Sequence, residues 1–202
     1  MAVRHLNAKT AFLNGKVKEM IYMKQPPGYE REGKLDLVCL LKKSIYRLKQ
    51  ATRSWNEIIH GALIKDGFIQ SNADPCMYSA KRSGKWCFVL IYVDNLVIAN
   101  KAHQAIESVK EALFSRFEMQ DLGEIRYYLR LEIDKNPDRY YRICQTNYIH
   151  QIASMFGLSE AKVSNVPIDP SYNKLKDETE VLLNNANYQR LIGCLLYISV
   201  CT

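Results

Sequence analysis

Phe88-Val89-Leu90-Ile91-Tyr92-Val93-Asp94-Asn95-Leu96-Val97-Ile98 sets one acid and one amide between two strongly apolar runs. Branched and aromatic residues suit a pleated, half-buried surface, so both runs read as strands. Asp and Asn suit the gap between them because their short polar side chains bond to nearby backbone. The stretch predicts a tight antiparallel hairpin with Asp94 and Asn95 at its tip. A turn accounts for these two residues without any chemistry, so function must be argued from what surrounds them.

Working outward, Met77–Ala80 and Lys85–Tyr92 are β runs joined through Ser83-Gly84, which extends the hairpin into a sheet. Before them, Trp55, Ile58, Ile59, Ala62 and Leu63 recur at the spacing of one buried helical stripe that Gly67 ends. After them, Ile106, Val109, Leu113 and Phe117 predict a second amphipathic helix. Tyr127–Ile143 reads as a hairpin with its turn near Asn136-Pro137-Asp138. Tyr148, Ile149, Ile152, Ala153 and Phe156 predict a third helix ending at Gly157, and Tyr188, Leu191, Ile192 and Leu195 open a fourth. Toward the N-terminus, Leu6–Leu13 is apolar, a turn stands at Asn14-Gly15, Glu19–Met23 is strand-like, and Pro26-Pro27-Gly28 breaks it. The irregular stretch 163–187, with Pro167 and Pro170, is the candidate linker. The expected class is α+β, an antiparallel sheet with helices on one face followed by a small helical region.

The 202 residues allow one sizeable domain, or one with a small appendage. At 48% hydrophobic and 24% charged the composition is globular rather than disordered or fibrous. Lys and Arg number 28 against 21 Asp and Glu, a net +7 whose field attracts polyanions. Nucleic acid leads as partner, with a merely solvated basic surface as the alternative. The cysteines form no C-x-x-C pair and several sit in apolar runs, so they read as small buried hydrophobes of a reducing compartment. His5, His60, His103 and His150 are scattered, which argues against zinc. The longest apolar run, Trp86–Val93, is far short of the roughly 20 residues that span a bilayer, and no signal sequence opens the chain. A soluble intracellular protein of cytoplasm or nucleus, without a membrane partner, is expected.

Several ordered blocks carry a resemblance. Ala8-Lys9-Thr10-Ala11-Phe12-Leu13-Asn14-Gly15, Ile21-Tyr22-Met23 and Gln25-Pro26-Pro27-Gly28 come first. Leu41-Lys42-Lys43-Ser44-Ile45-Tyr46 follows with Leu48-Lys49-Gln50-Ala51, Arg53 and Trp55, then Tyr92-Val93-Asp94-Asn95. Asp121-Leu122-Gly123-Glu124, Leu129-Arg130-Leu131-Glu132-Ile133, Gln145-Thr146-Asn147-Tyr148-Ile149 and Arg190-Leu191-Ile192-Gly193-Cys194-Leu195-Leu196-Tyr197 complete the series. Together they resemble the reverse transcriptase of copia-type LTR retrotransposons, part of a Pol polyprotein, over nearly the whole chain.

The resemblance implies a reverse-transcriptase palm over residues 1–145 and a partial thumb with a truncated closing helix over 146–202. It implies template-directed DNA synthesis with two Mg2+ ions held by three aspartates. Here the family's first aspartate position is Asn7 and the second residue of its hairpin pair is Asn95, which leaves Asp94 as the retained catalytic and metal-binding carboxylate. Asparagine keeps an acceptor oxygen and loses the charge, so an inactive copy is expected. By the same resemblance Phe12 and Gln50 flank the incoming nucleotide. Lys49 and Arg53 contact phosphate, with plain surface charge as the alternative. Leu129, Arg130, Leu131 and Glu132 fall in the primer-grip region. Arg47 and Arg130 replace family glycines. The fingers that precede the first motif and the RNase H region that follows have no counterpart here, so a slice of a polyprotein is expected. A second possibility is an RNA-binding module, since basic chains with strand-borne aromatics suit base stacking. Gly84-Lys85-Trp86-Cys87-Phe88-Val89 meets the RNP1 pattern only in part, with Cys where Gly or Ala belongs.

Overall fold

The computed structural model describes residues 1–34, 36–136, 140–166 and 184–202. They form two compact units, Met1–Ile125 and Arg126–Thr202.

The first unit runs β1 (Ala2–Ala8), a 3-10 turn (Ala11–Asn14), β2 (Tyr22–Lys24), β3 (Val38–Leu40), α1 (Ala51–Lys65), β4 (Ile69–Gln70), β5 (Met77–Arg82), β6 (Lys85–Tyr92), β7 (Asn95–Asn100), α2 (His103–Phe114) and β8 (Met119–Glu124). Six strands make one antiparallel sheet in the order β4-β5-β6-β7-β1-β8, and β2 pairs with β3 apart from it. Along β6, Cys87, Val89 and Ile91 are buried while Trp86, Phe88 and Leu90 face the other way. That two-residue period leaves one face apolar and covered, the other open. Trp55, Ile59 and Leu63 of α1 and Ile106, Val109 and Leu113 of α2 join Leu6, Val89, Leu96 and Ile98 in one core. Both helices therefore lie on the same face, and the α+β class holds. Each fully buried aliphatic of this core contributes about 1.5–3 kcal/mol. Leu6, between β7 and β8, is fully buried, and Leu6→Ala would cost about 2–5 kcal/mol.

Several expectations need correction. The first residues form β1, a central strand, because Leu6 and Ala8 alternate into the core while His5 and Asn7 take the open face. Met119–Glu124 is a further strand, which its apolar pattern does not announce. Of Glu19–Met23 only Tyr22 and Met23 are extended. The second helix stops at Phe114, although Phe117 still packs into the core. Cys87 is buried, but the other five cysteines are only half-buried.

The second unit comprises β9 (Tyr127–Tyr128), β10 (Leu131–Lys135), β11 (Tyr141–Cys144), α3 (Thr146–Met155) and α4 (Ala186–Cys201). The expected single hairpin is a three-stranded sheet, β11-β10-β9, because a further tight turn at Leu129-Arg130 splits its first arm. Asn136 N–H donates to Tyr140 O at 2.8 Å to close the second turn, whose residues Pro137 and Asp138 lie outside the described part. The candidate linker 163–187 likewise falls mostly outside it. Tyr148 and Ile152 anchor α3. No helix among the described residues is long and apolar enough to cross a membrane.

Candidate active site

Tyr92 and Asn95 are the last registered pair of β6 and β7, so Val93 and Asp94 make the turn. Val93 has φ 56, a left-handed conformation that a β-branched side chain adopts at a cost of about 1–3 kcal/mol. Two contacts hold it. Trp55 Nε1–H donates to Val93 O at 2.6 Å, and Ala8 N–H donates to Asp94 O at 2.7 Å. Trp55 is itself fixed edge-on against Phe117, with ring centroids 5.2 Å apart. The stripe of α1 thus aims one indole at the tip, a role that helical periodicity alone does not disclose.

Asn7 on β1 registers directly with Asn95 on β7, and with Gln120 on β8. Directly opposed residues share a face, so Asn7, Asn95 and His5 sit together on the open side. The Asn95 amide is held at both ends: Oδ1 lies 3.0 Å from His5 Nε2, and Nδ2 donates to Asp94 Oδ1 at 3.1 Å. An ionised carboxylate can only accept, so the amide nitrogen must be the end that meets Asp94, and His5 must donate from Nε2 to the amide oxygen. Among the described residues no three His, Cys, Asp or Glu side chains converge as a metal-holding group.

Phe12 lies on the 3-10 turn that follows β1, its ring edge-on to Tyr46 with centroids 4.7 Å apart. Ser44 Oγ–H donates to Phe12 O. Gly15 is needed here, since an added Cβ would come within 2.5 Å of Ser44 Oγ and 2.8 Å of the Ser54 side chain. This close approach sets Phe12 beside the start of α1, where Lys49 and Gln50 are exposed. Arg53 Nε pairs with Glu57 Oε1 at 3.1 Å, and Lys18 Nζ pairs with Glu57 Oε2 at 3.0 Å. Such exposed pairs are weak and leave both cations open to exchange partners.

Arg47 and Arg130 both adopt the left-handed backbone, with φ 72 and 64. The chain keeps the conformation that glycine would favour while carrying a Cβ there. Leu129 joins Arg130 at positive φ, 50, which makes the turn between Tyr128 and Leu131 a primed hairpin turn. The Arg130 guanidinium lies 5.0 Å from the Tyr148 ring centroid, and Tyr197 OH donates to Leu129 O. Glu132 Oε1 accepts from Asn147 N–H at 2.6 Å at the start of α3, which favours negative charge. Leu131 pairs with Tyr128 in the same small sheet. These four residues are thus gathered in one turn and strand of the second unit.

Asp121 of β8 is tied down by Arg4 through two bonds, Nε–Oδ1 at 2.9 Å and Nη2–Oδ2 at 3.0 Å, by Lys110 Nζ at 3.1 Å and by Gly123 N–H at 2.9 Å. Burial pushes its carboxyl up, but these donors and the Arg4 charge more than reverse that and hold it far below the usual carboxylate range. Lys110 also pairs with Glu107. The network braces β1, the strand that carries Asn7, against β8.

The model of the family described as reverse transcriptase (RNA-dependent DNA polymerase) matches residues 1–170. The chain is 32% identical over 210 residues to the retrovirus-related Pol polyprotein from transposon TNT 1-94 of Nicotiana tabacum, a match covering 100% of this chain and 16% of that protein. It is 28% identical over 197 residues to the Pol polyprotein from transposon RE1 of Arabidopsis thaliana, covering 98% of this chain and 13% of that protein. With a transposon Ty5-1 protein of Saccharomyces cerevisiae it shares 31% over 192 residues, 95% of this chain and 62% of the relative. The chain therefore spans less than two thirds of the length of each.

Proposed function

This chain belongs to the reverse transcriptase (RNA-dependent DNA polymerase) family, in its copia type, and on that premise we propose that it is a palm-and-thumb segment that holds a template-primer but does not extend it. Residues 1–145 are the palm and 146–202 the thumb. The observation that carries the reading is the amide of Asn95, clamped between His5 and Asp94 and registered opposite Asn7.

Phosphoryl transfer to a primer hydroxyl depends on two hard cations, which prefer anionic oxygen ligands. The tip offers one carboxylate, and an amide N–H is turned onto one of its oxygens. Asn7 and Asn95 add acceptor oxygens without charge, and the Asn95 oxygen is already engaged by His5. The donor set does not fit a two-magnesium centre. Phe12 and Gln50 are the residues assigned to the incoming nucleotide. Lys49 and Arg53 meet phosphates, while Leu129-Arg130-Leu131-Glu132 faces the primer, with Arg130 as its cation. The net charge of +7 supports this partner. Fingers and RNase H regions of a polyprotein are the proposed protein partners.

Purified protein given a primed RNA or DNA template, nucleotides and magnesium should yield no extension, yet shift the template-primer in a gel with an affinity that falls steeply with salt. Extension above background sinks the inactive assignment. A salt-independent shift sinks the phosphate contacts.

A further inference from the structure

β6 turns Cys87, Val89 and Ile91 into the core, so Trp86 and Phe88 stand on the open face. Their rings stack at 6.3 Å between centroids and 20° between planes. Trp86 nevertheless keeps 54% of its surface exposed. Lys81, registered opposite Trp86 on β5, holds its ammonium 5.4 Å from the indole centroid. Exposed Lys85 precedes Trp86 on β6, and exposed Lys101 follows the end of β7. There the buried Asn100 side chain donates Nδ2–H to Trp86 O at 3.1 Å and accepts Ala102 N–H at 2.6 Å, which fixes the backbone beneath the indole. Trp86 is six residues before Tyr92 on the strand, about 20 Å from the tip by strand rise.

We infer that Trp86, Phe88 and Lys81 form a second nucleic-acid site, a stacking platform for an unpaired base of a single strand, separate from the hairpin tip. Every base offers a π face that an open indole can stack against, and the Lys81 ammonium beside the ring suits a flanking phosphate. The Lys85-Trp86-Cys87-Phe88-Val89 run falls short of the RNA-binding pattern in spelling, yet it puts two aromatic rings on one sheet face, which is the geometry stacking requires. A second copy of this patch is a poor occupant, because self-docking would set lysine against lysine.

The test uses the full chain and needs no label at the site, since Trp55 is 1% exposed and Trp86 is the other tryptophan. Titration with oligo(dT) or oligo(U) should quench the indole emission to saturation, and a blunt duplex of equal length should not. By anisotropy of a labelled single strand, Trp86→Ala should weaken binding at least about fivefold and Trp86→Phe should retain most of it. Lys81→Gln should lower the salt slope by about one. Matching thermal melts confirm that the variants fold. An affinity of Trp86→Ala within about twofold of the parent overturns the platform. So does a dimer that Trp86→Ala dissolves with no quench by oligonucleotide, which reassigns the patch to a second copy. Binding of a primed duplex through Lys49 and Arg53 is read separately, so loss of that binding with the quench intact counts against the template-primer proposal alone.

Discussion

Asn7 and Asn95 stand as directly registered partners across β1 and β7, on the open face of the sheet. Two carboxylates placed there would repel one another and would rely on cations to coexist. Two amides need no ion. The tip is satisfied internally, with His5, Asn95 and Asp94 joined in one chain of hydrogen bonds.

Asn95→Asp should reverse that condition. The new carboxylate loses the bond to Asp94 Oδ1 and faces a like charge, so the variant should be about 1 kcal/mol less stable at neutral pH without divalent ions. Magnesium should recover part of the loss and leave the parent's melting temperature unmoved. Melts of both proteins with chelator and with magnesium check this; equal responses contradict it.

Arg47→Gly should stabilise the first unit by about 1 kcal/mol, because the backbone at φ 72 already has the conformation in which a Cβ is strained. Arg130→Gly should gain less, since it also removes the guanidinium from the Tyr148 ring. Urea unfolding of each variant measures the difference. A loss on Arg47→Gly would contradict the strain argument.

The hairpin was legible in the sequence because apolar arms flank one acid and one amide, but its turn falls on Val93 and Asp94, one residue earlier than expected, since Asn95 pairs with Tyr92 in the ladder. β1 was not legible, because His5 and Asn7 on the open face and Arg4 on the covered face, where Asp121 holds it, dilute the apolar signal to Leu6 and Ala8. β8 was obscured by Asp121 and Gly123, which look like loop residues until Arg4 and Lys110 are seen to satisfy the carboxylate. At the site, the resemblance drew attention to Asn7 and Asn95. Their shared register, the His5 bond and the indole donation to Val93 depend on strands and helices far apart in the chain, which periodicity does not report.

Asp121→Asn should cost about 1–2 kcal/mol at neutral pH, because Arg4 and Lys110 lose their shared anion. The folded carboxyl titrates below its unfolded value of about 3.9, so its contribution is fully present above that pH and is lost as pH falls through the folded value. The gap between parent and variant should therefore stay constant from neutral pH down to about pH 5 and close below about pH 4. Unfolding curves across that range decide it. A gap that widens in acid would contradict the assigned direction.

Trp55→Phe should keep much of the aromatic packing but remove the donor to Val93 O, at a cost of about 1–3 kcal/mol. Val93→Gly should gain more in that background than in the parent, because the indole no longer helps hold the turn at φ 56. A double-mutant cycle in urea reads the coupling, and strictly additive effects would contradict the clamp.

The most direct trial of a tip with a single carboxylate is a crystal of the unaltered chain soaked in magnesium and solved at high resolution. Asn95 Nδ2 should still be bonded to Asp94, with no paired ions at the hairpin. Two ordered ions beside Asp94, with oxygen ligands at about 2.1 Å, would contradict it.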